Sequence, residues 1–176
     1  MRSEALKRAR LIFTLLDSNN NGHIESDDFE LTAERVVAAV PRASEAAKKA
    51  MTTAYRKHWA LLAAELDADR DGRVSLEEYS ACVLSPERFD DTLTDFAEAL
   101  ATLGDPDGDG LIDRPDFVAL MTAVGFGFDN INTVFDAFEP TEADQIRVLT
   151  WVAGIKDYYS PDKAGIVGDH LIPAPA

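Results

Sequence analysis

Asp67-Ala68-Asp69-Arg70-Asp71-Gly72-Arg73-Val74-Ser75-Leu76-Glu77-Glu78 is the stretch on which the reading of this chain turns. Oxygen-bearing side chains stand at its first, third, fifth and ninth positions, a glycine at its sixth and a glutamate at its twelfth. A hard divalent cation takes roughly six to eight oxygen ligands, and a tight loop can aim alternate side chains at one interior point. The glycine marks the sharp bend that such a loop needs, because it has no Cβ to clash there. The seventh residue supplies only its backbone carbonyl, so its side chain is free to vary.

The same pattern occurs at Asp17-Ser18-Asn19-Asn20-Asn21-Gly22-His23-Ile24-Glu25-Ser26-Asp27-Asp28 and at Asp105-Pro106-Asp107-Gly108-Asp109-Gly110-Leu111-Ile112-Asp113-Arg114-Pro115-Asp116. The candidate side-chain ligands are therefore Asp17, Asn19, Asn21 and Asp28, then Asp67, Asp69, Asp71 and Glu78, then Asp105, Asp107, Asp109 and Asp116. His23, Arg73 and Leu111 are expected to bind through their carbonyls, and Glu25, Ser75 and Asp113 through water. Ile24, Val74 and Ile112 at the eighth positions are β-branched, which suits a short extended segment paired with that of a neighbouring loop. Phe13 with Leu16, and Ala63 with Leu66, precede their loops at helical spacing, while Phe29, Tyr79 and Phe117 follow; these faces are expected to be core.

Loops that pair come in even numbers, and a fourth helix-loop-helix unit is legible in Ile131, Val134, Phe135 and Phe138, in Ile146 at an eighth position, and in Trp151, Ile155 and Tyr158 beyond it. Its loop, residues 139–150, has Ala143 at the fifth position, Asp144 in place of glycine and Thr150 at the twelfth. It reads as a structural partner of the third loop whose remaining acids, Glu139, Glu142 and Asp144, serve solvation.

These loops and their flanking helices resemble the EF-hand superfamily. The loops begin at residues 17, 67, 105 and 139, so the first interval is the longest. A long first connection, closer later hands and one defective hand resemble the sarcoplasmic calcium-binding proteins and their bacterial relative calerythrin. The resemblance implies an all-α fold of four EF hands in two pairs, with short β-pairing between the loops of each pair and the halves packed into one compact body. The expected organisation is an N-terminal pair over 1–85, a C-terminal pair over 86–160 and a tail over 161–176. Pro41 should end the first exiting helix, 43–66 should form a long helix, Ser85-Pro86 should divide the halves, Gly125-Phe126-Gly127 should separate the last two hands, and Ser160-Pro161 should end the last helix. The tail is loop-like, and its Ile166, Val167, Leu171 and Ile172 leave a docked lid and a frayed end equally open.

The twelfth residue ranks the sites. Glu78 reaches an ion with both oxygens, which makes the second loop the best Ca²⁺ site. Asp28 and Asp116 are shorter, lower the expected coordination number and admit Mg²⁺ beside Ca²⁺ at the first and third loops.

The chain has 17 basic and 32 acidic side chains, a formal net charge of -15, which repels nucleic acid and favours cations. One cysteine, Cys82, cannot form an internal bridge and reads as a small buried hydrophobe. The charged N-terminus lacks the apolar run of a secretory signal, and no stretch suits a membrane span, so a cytoplasmic monomer is expected. Arg8, Arg10, Lys48, Lys49, Arg56 and Lys57 lie on helices and need mean no more than solubility. Scattered His23, His58 and His170 lack a paired nucleophile, so no enzyme is expected. The leading function is an intracellular Ca²⁺ buffer or a Ca²⁺-responsive signalling protein. With only Met1, Met51 and Met121, the chain lacks the methionine-lined groove of a promiscuous sensor, which favours a buffer over a sensor for a specific protein target. A third reading is a cavity for a small hydrophobic ligand, of the kind photoproteins enclose, lined by Trp59, Phe96, Phe126, Trp151 and Tyr158.

Overall fold

Apolar side chains at helical spacing build eight α-helices among the residues that the computed structural model describes, 3–82 and 88–173. The expected boundary at Ser85-Pro86 lies outside the described residues, as does the side chain of Cys82. Helix α1 (Ser3–Leu16) enters the first loop and α2 (Ser26–Ala39) leaves it; α3 (Glu45–Leu66) enters the second and α4 (Leu76–Cys82) leaves it. Helices α5 (Asp90–Leu103) and α6 (Arg114–Val124) flank the third loop, and α7 (Phe128–Ala137) and α8 (Val148–Tyr159) the fourth.

The punctuation follows local chemistry. Helix α2 ends at Ala39, just before Pro41, and α3 begins two residues later than the sequence suggests because Ser44 caps it, its hydroxyl accepting the Ala47 N–H at 3.1 Å. Gly125 closes α6 with φ of 115°, a left-handed conformation that a side chain would strain. Ser160 follows the last residue of α8.

Each pair of loops is joined by a two-stranded antiparallel ladder. Strands β1 (His23–Ile24) and β2 (Val74–Ser75) place Ile24 opposite Val74, and β3 (Leu111–Asp113) and β4 (Gln145–Arg147) place Ile112 opposite Ile146. All four eighth-position residues are buried, so the ladder is also the floor of the core beneath each loop pair.

Packing joins the halves. Helix α3 lies on α5, α2 on α6, and both α1 and α5 on α8. Phe96 of α5 meets Tyr55 edge-on at 5.0 Å and His58 at 5.5 Å, both from α3. In the C-terminal half, Phe117 contacts Phe135 at 5.1 Å and Trp151 at 4.9 Å. Phe13, Leu16, Phe29, Tyr79, Ile131 and Val134 are core as expected. Ala63 is only half-buried, whereas Leu66 is core as expected and shares the inward face of α3 with Leu62. Phe138 and Ile155 are also half-buried.

One side chain corrects the sequence reading. Arg8 is not a solubility residue: it is 2% exposed, and its guanidinium donates to the carbonyls of Tyr158 (2.7 Å), Ser160 (2.8 Å) and Lys163 (3.0 Å) and to Asp169 (2.5 Å). A buried charge persists only when its donors are used, and here they are used to hold the tail. The tail is docked, with a 3-10 turn at Val167–Leu171, Leu171 buried, and Asn130 donating to the His170 carbonyl at 2.6 Å. His58 is a core residue between Phe29 and Phe96 whose burial lowers its pKa to about 4, so that it is neutral near pH 7. No helix among the described residues is long and apolar enough to cross a membrane.

Candidate metal centres

The three loops share one internal hydrogen-bond pattern. In each, the first-position carboxylate turns inward and accepts the backbone N–H of the fifth and sixth residues: Asp17 from Asn21 (3.0 Å) and Gly22 (2.8 Å), Asp67 from Asp71 (3.1 Å) and Gly72 (3.0 Å), Asp105 from Asp109 (3.1 Å) and Gly110 (2.9 Å). The fifth-position oxygen accepts the N–H of the seventh: Asn21 from His23 (2.9 Å), Asp71 from Arg73 (2.9 Å), Asp109 from Leu111 (2.8 Å). These bonds use N–H groups that the bend leaves free, and they fix the first and fifth side chains towards the loop interior. The sixth-position glycines Gly22, Gly72 and Gly110 have φ of 86°, 83° and 83°, the left-handed region that their position requires.

The oxygens converge accordingly. One carboxylate oxygen each from Asp67, Asp69 and Asp71 lie within 4.8 Å of one another, as do those of Asp105, Asp107 and Asp109. The first loop has amides, Asn19 and Asn21, at two of these positions, so it has an oxygen-bearing side chain at each with less charge. Carboxylates brought this close repel one another unless a cation lies among them, and an all-oxygen donor set with a backbone carbonyl at the seventh position fits a hard divalent ion.

The twelfth residues differ. Glu78 accepts the N–H of Ala68 (3.0 Å) and Ser75 (2.9 Å) and the Ser75 hydroxyl (2.9 Å), and the backbone donors hold it below the usual carboxylate range. Asp28 accepts from Asn19 (3.3 Å) and Glu25 (2.9 Å), while its burial pushes its pKa up. Asp116 is paired with the guanidinium of Arg42, a residue from the turn between α2 and α3.

Ninth-position residues face the partner loop. Glu25 forms an ion pair with Arg73 at 2.8 Å, and Asp113 accepts the Gln145 side-chain amide at 2.8 Å. Ser75 instead bonds Glu78 within its own loop.

The fourth loop folds on itself: the Thr141 N–H donates to the Gln145 carbonyl at 2.8 Å and the Asp144 N–H to the Thr141 carbonyl at 2.9 Å. Asp144, at φ of 62°, is gripped by two nitrogens of Arg114, both at 2.8 Å, which lower its pKa. Arg114 also bonds Asp136 at 2.6 Å and stacks over the Phe135 ring at 4.3 Å. Sequence reasoning missed both arginines. Arg114 occupies the tenth position of the third loop, which has no ligand role in this pattern, and Arg42 is remote in sequence from every loop; only Pro106, which has no N–H to offer, hints at the second.

Residues 64–84, the second loop with part of its helices, match the EF-hand family model. A 56-residue segment is 41% identical to a calcium-binding protein, CML23, of Oryza sativa subsp. japonica; the match spans 32% of this chain and only 36% of the rice protein's length. The fold of a Streptomyces coelicolor calcium-binding protein, solved as the structural basis for prokaryotic calcium-mediated regulation, superposes with a TM-score of 0.74 at 25% identity, covering 90% of this chain and 99% of that one. A sarcoplasmic calcium-binding protein from amphioxus shares the fold with a TM-score of 0.72 at 19% identity over 99% of this chain and 100% of that one. Taken with the loop geometry, the match over the second loop and the shared fold make this chain similar to calcium-binding proteins built from EF hands.

Proposed function

We propose that the protein is a cytoplasmic, monomeric Ca²⁺ buffer with three metal-holding loops, at 17–28, 67–78 and 105–116, and a structural fourth hand. Paired units over 1–85 and 86–160 hold the loops, with the 161–176 tail as a clasp. The observation that carries this reading is the common loop geometry: three first-position carboxylates pinned by the N–H groups of the fifth and sixth residues, with the fifth-position oxygens pinned in turn. The residues assigned to the ions are those named from the sequence, with Ca²⁺ at all three loops and Mg²⁺ sharing the first and third. In the fourth loop Arg114 supplies the positive charge that Asp144 faces.

Calorimetry of the full chain tests the assignment. Three Ca²⁺ equivalents are expected, and Glu78→Gln should weaken the most Ca²⁺-selective one about tenfold or more, because it removes a charge and a bidentate reach. Fewer than two tightly held equivalents, or an unchanged isotherm for the variant, would count against it.

A regulatory role towards a specific protein target is the second reading, favoured by the likeness to the Streptomyces protein. A small hydrophobic ligand is the third. Phe96, Phe126, Trp151 and Tyr158 do converge, but on a void of about 80 Å³, and Trp59 packs elsewhere, on Phe29. A larger cleft of about 640 Å³ opens between α1, α5 and α8, and Tyr158 at its wall has a buried hydroxyl with no partner among the described residues. An absorbing molecule that copurifies with the protein would favour this reading.

A further inference from the structure

Holding the twelfth carboxylate is a local matter in the first two loops. Asp28 and Glu78 are each secured by N–H groups of their own loop, including that of Ala68 at the second position of the second loop. The third loop has Pro106 at its second position, and proline has no N–H to offer. Among the described residues, no N–H of the third loop donates to Asp116. The carboxylate is held instead by Arg42, which also stands 3.7 Å from Asp113. Arg42 lies 74 residues from Asp116, in the turn that joins α2, the exiting helix of the first hand, to α3, the entering helix of the second.

The charges make this contact more than a fastening. The third loop carries five aspartates, Asp105, Asp107, Asp109, Asp113 and Asp116, and Arg42 feels Asp116 first, then Asp113 and Asp107. Arg114, the nearest arginine in sequence, is turned to Asp136 and Asp144 of the fourth hand. A guanidinium bonded to a ligand carboxylate draws charge away from the ion position and repels a second cation that approaches it.

We propose that Arg42 is an intramolecular counter-cation of the third loop, claiming the Asp116 carboxylate against the divalent ion, so that loading this loop loosens the α2–α3 turn of the other half. The proposal rests on the third loop being a metal site. It assigns Arg42 two effects: it weakens ion binding at the third loop, and it transmits the state of that loop to the α2–α3 turn. By linkage, whatever displaces Arg42 from the N-terminal side raises the affinity of the third loop in the same proportion.

The test is a calorimetric Ca²⁺ titration of the full chain beside Arg42→Gln and Arg42→Lys, with the third-loop event identified by its loss in Asp105→Asn. Arg42 is 57% exposed, so the substitutions leave the core untouched. Arg42→Gln is expected to tighten the third-loop event about two- to fivefold, the range that such exposed charge pairs supply. The other two events should stay where they are, and Arg42→Lys, which keeps the charge, should stay near the parent. Amide exchange at Ala43 to Ala47, read by NMR, should quicken on Ca²⁺ loading in the parent and not in Arg42→Gln. A third-loop event that Arg42→Gln leaves unchanged overturns the proposal, and one that it weakens makes Arg42 an aid to the ion instead of a rival. If Asp105→Asn removes no event, the third metal site itself falls, and that outcome is distinct from either.

Discussion

Glu78 differs from Asp28 and Asp116 by one methylene, and that difference could be read before any folding was considered: the longer arm offers two oxygens where the shorter offers one. His58 shows the opposite case. Nothing in Lys57-His58-Trp59 says whether the imidazole faces water, yet its place between Phe29 and Phe96 lowers its pKa from 6.5 to about 4. The unfolded chain therefore takes up this proton as the pH falls through about 6.5, whereas the folded chain resists until about 4. The contribution is fully present above pH 6.5, is lost across the window between these values and levels off below it. The shift corresponds to about 3 kcal/mol in all. In urea unfolding with chelator present, His58→Leu should show a smaller drop in stability between pH 7 and pH 5 than the parent. Equal drops would place the pH sensitivity elsewhere.

At the scale of elements, the helices and ladders follow from local pattern, and the contacts between them do not. The β-branched residues Ile24, Val74 and Ile112 and their counterpart Ile146 announced the ladder, whose register puts them opposite one another as pairs. The tail could not be assigned in the same way, because Ile166 to Ile172 has no period and its anchor, Arg8, lies at the other end of the chain. Arg8→Ala should cost about 2 to 3 kcal/mol, since it leaves the carbonyls of Tyr158, Ser160 and Lys163 without their arginine donor and Asp169, which keeps the Gly165 and Ile166 N–H groups, without its counter-charge. It should also expose 161–173 to limited proteolysis well before the rest of the chain is cut. A tail as resistant as the parent's would show that Leu171 and its apolar neighbours suffice to hold it.

Over the whole molecule, the apolar surfaces are spent on one another. The core runs from Ile12 and Phe29 through Tyr55 and Phe96 to Phe117 and Trp151, and among the described residues the large hydrophobics left in solvent, Leu31, Leu76, Phe128 and Leu149, are spread over four helices. A sensor that engages a target helix opens a contiguous apolar groove when it loads its ion. Tight α3–α5 and α2–α6 packing across the halves opposes such opening. The dye test follows: binding of a hydrophobic dye and tryptophan emission are compared with chelator, with Mg²⁺ and with Ca²⁺. The buffer reading expects no rise in dye signal specific to Ca²⁺, whereas a clear rise would move the assignment to a sensor with a protein target.

What the sequence determined alone was what depends on neighbours within a dozen residues: three oxygen-lined loops with glycine at the bend, the helices on either side, and a fourth loop with aspartate in place of that glycine. Such features are legible because a loop's ligands, its bend and its flanking turns are all drawn from one short run of chain. Only the tertiary structure decided that Arg8 clasps the tail, that Arg114 grips Asp144, that His58 is kept neutral, and that Arg42 reaches Asp116. Each of these joins charges or rings from distant segments, and electrostatic pairing acts through distance in space, on which sequence separation has no bearing.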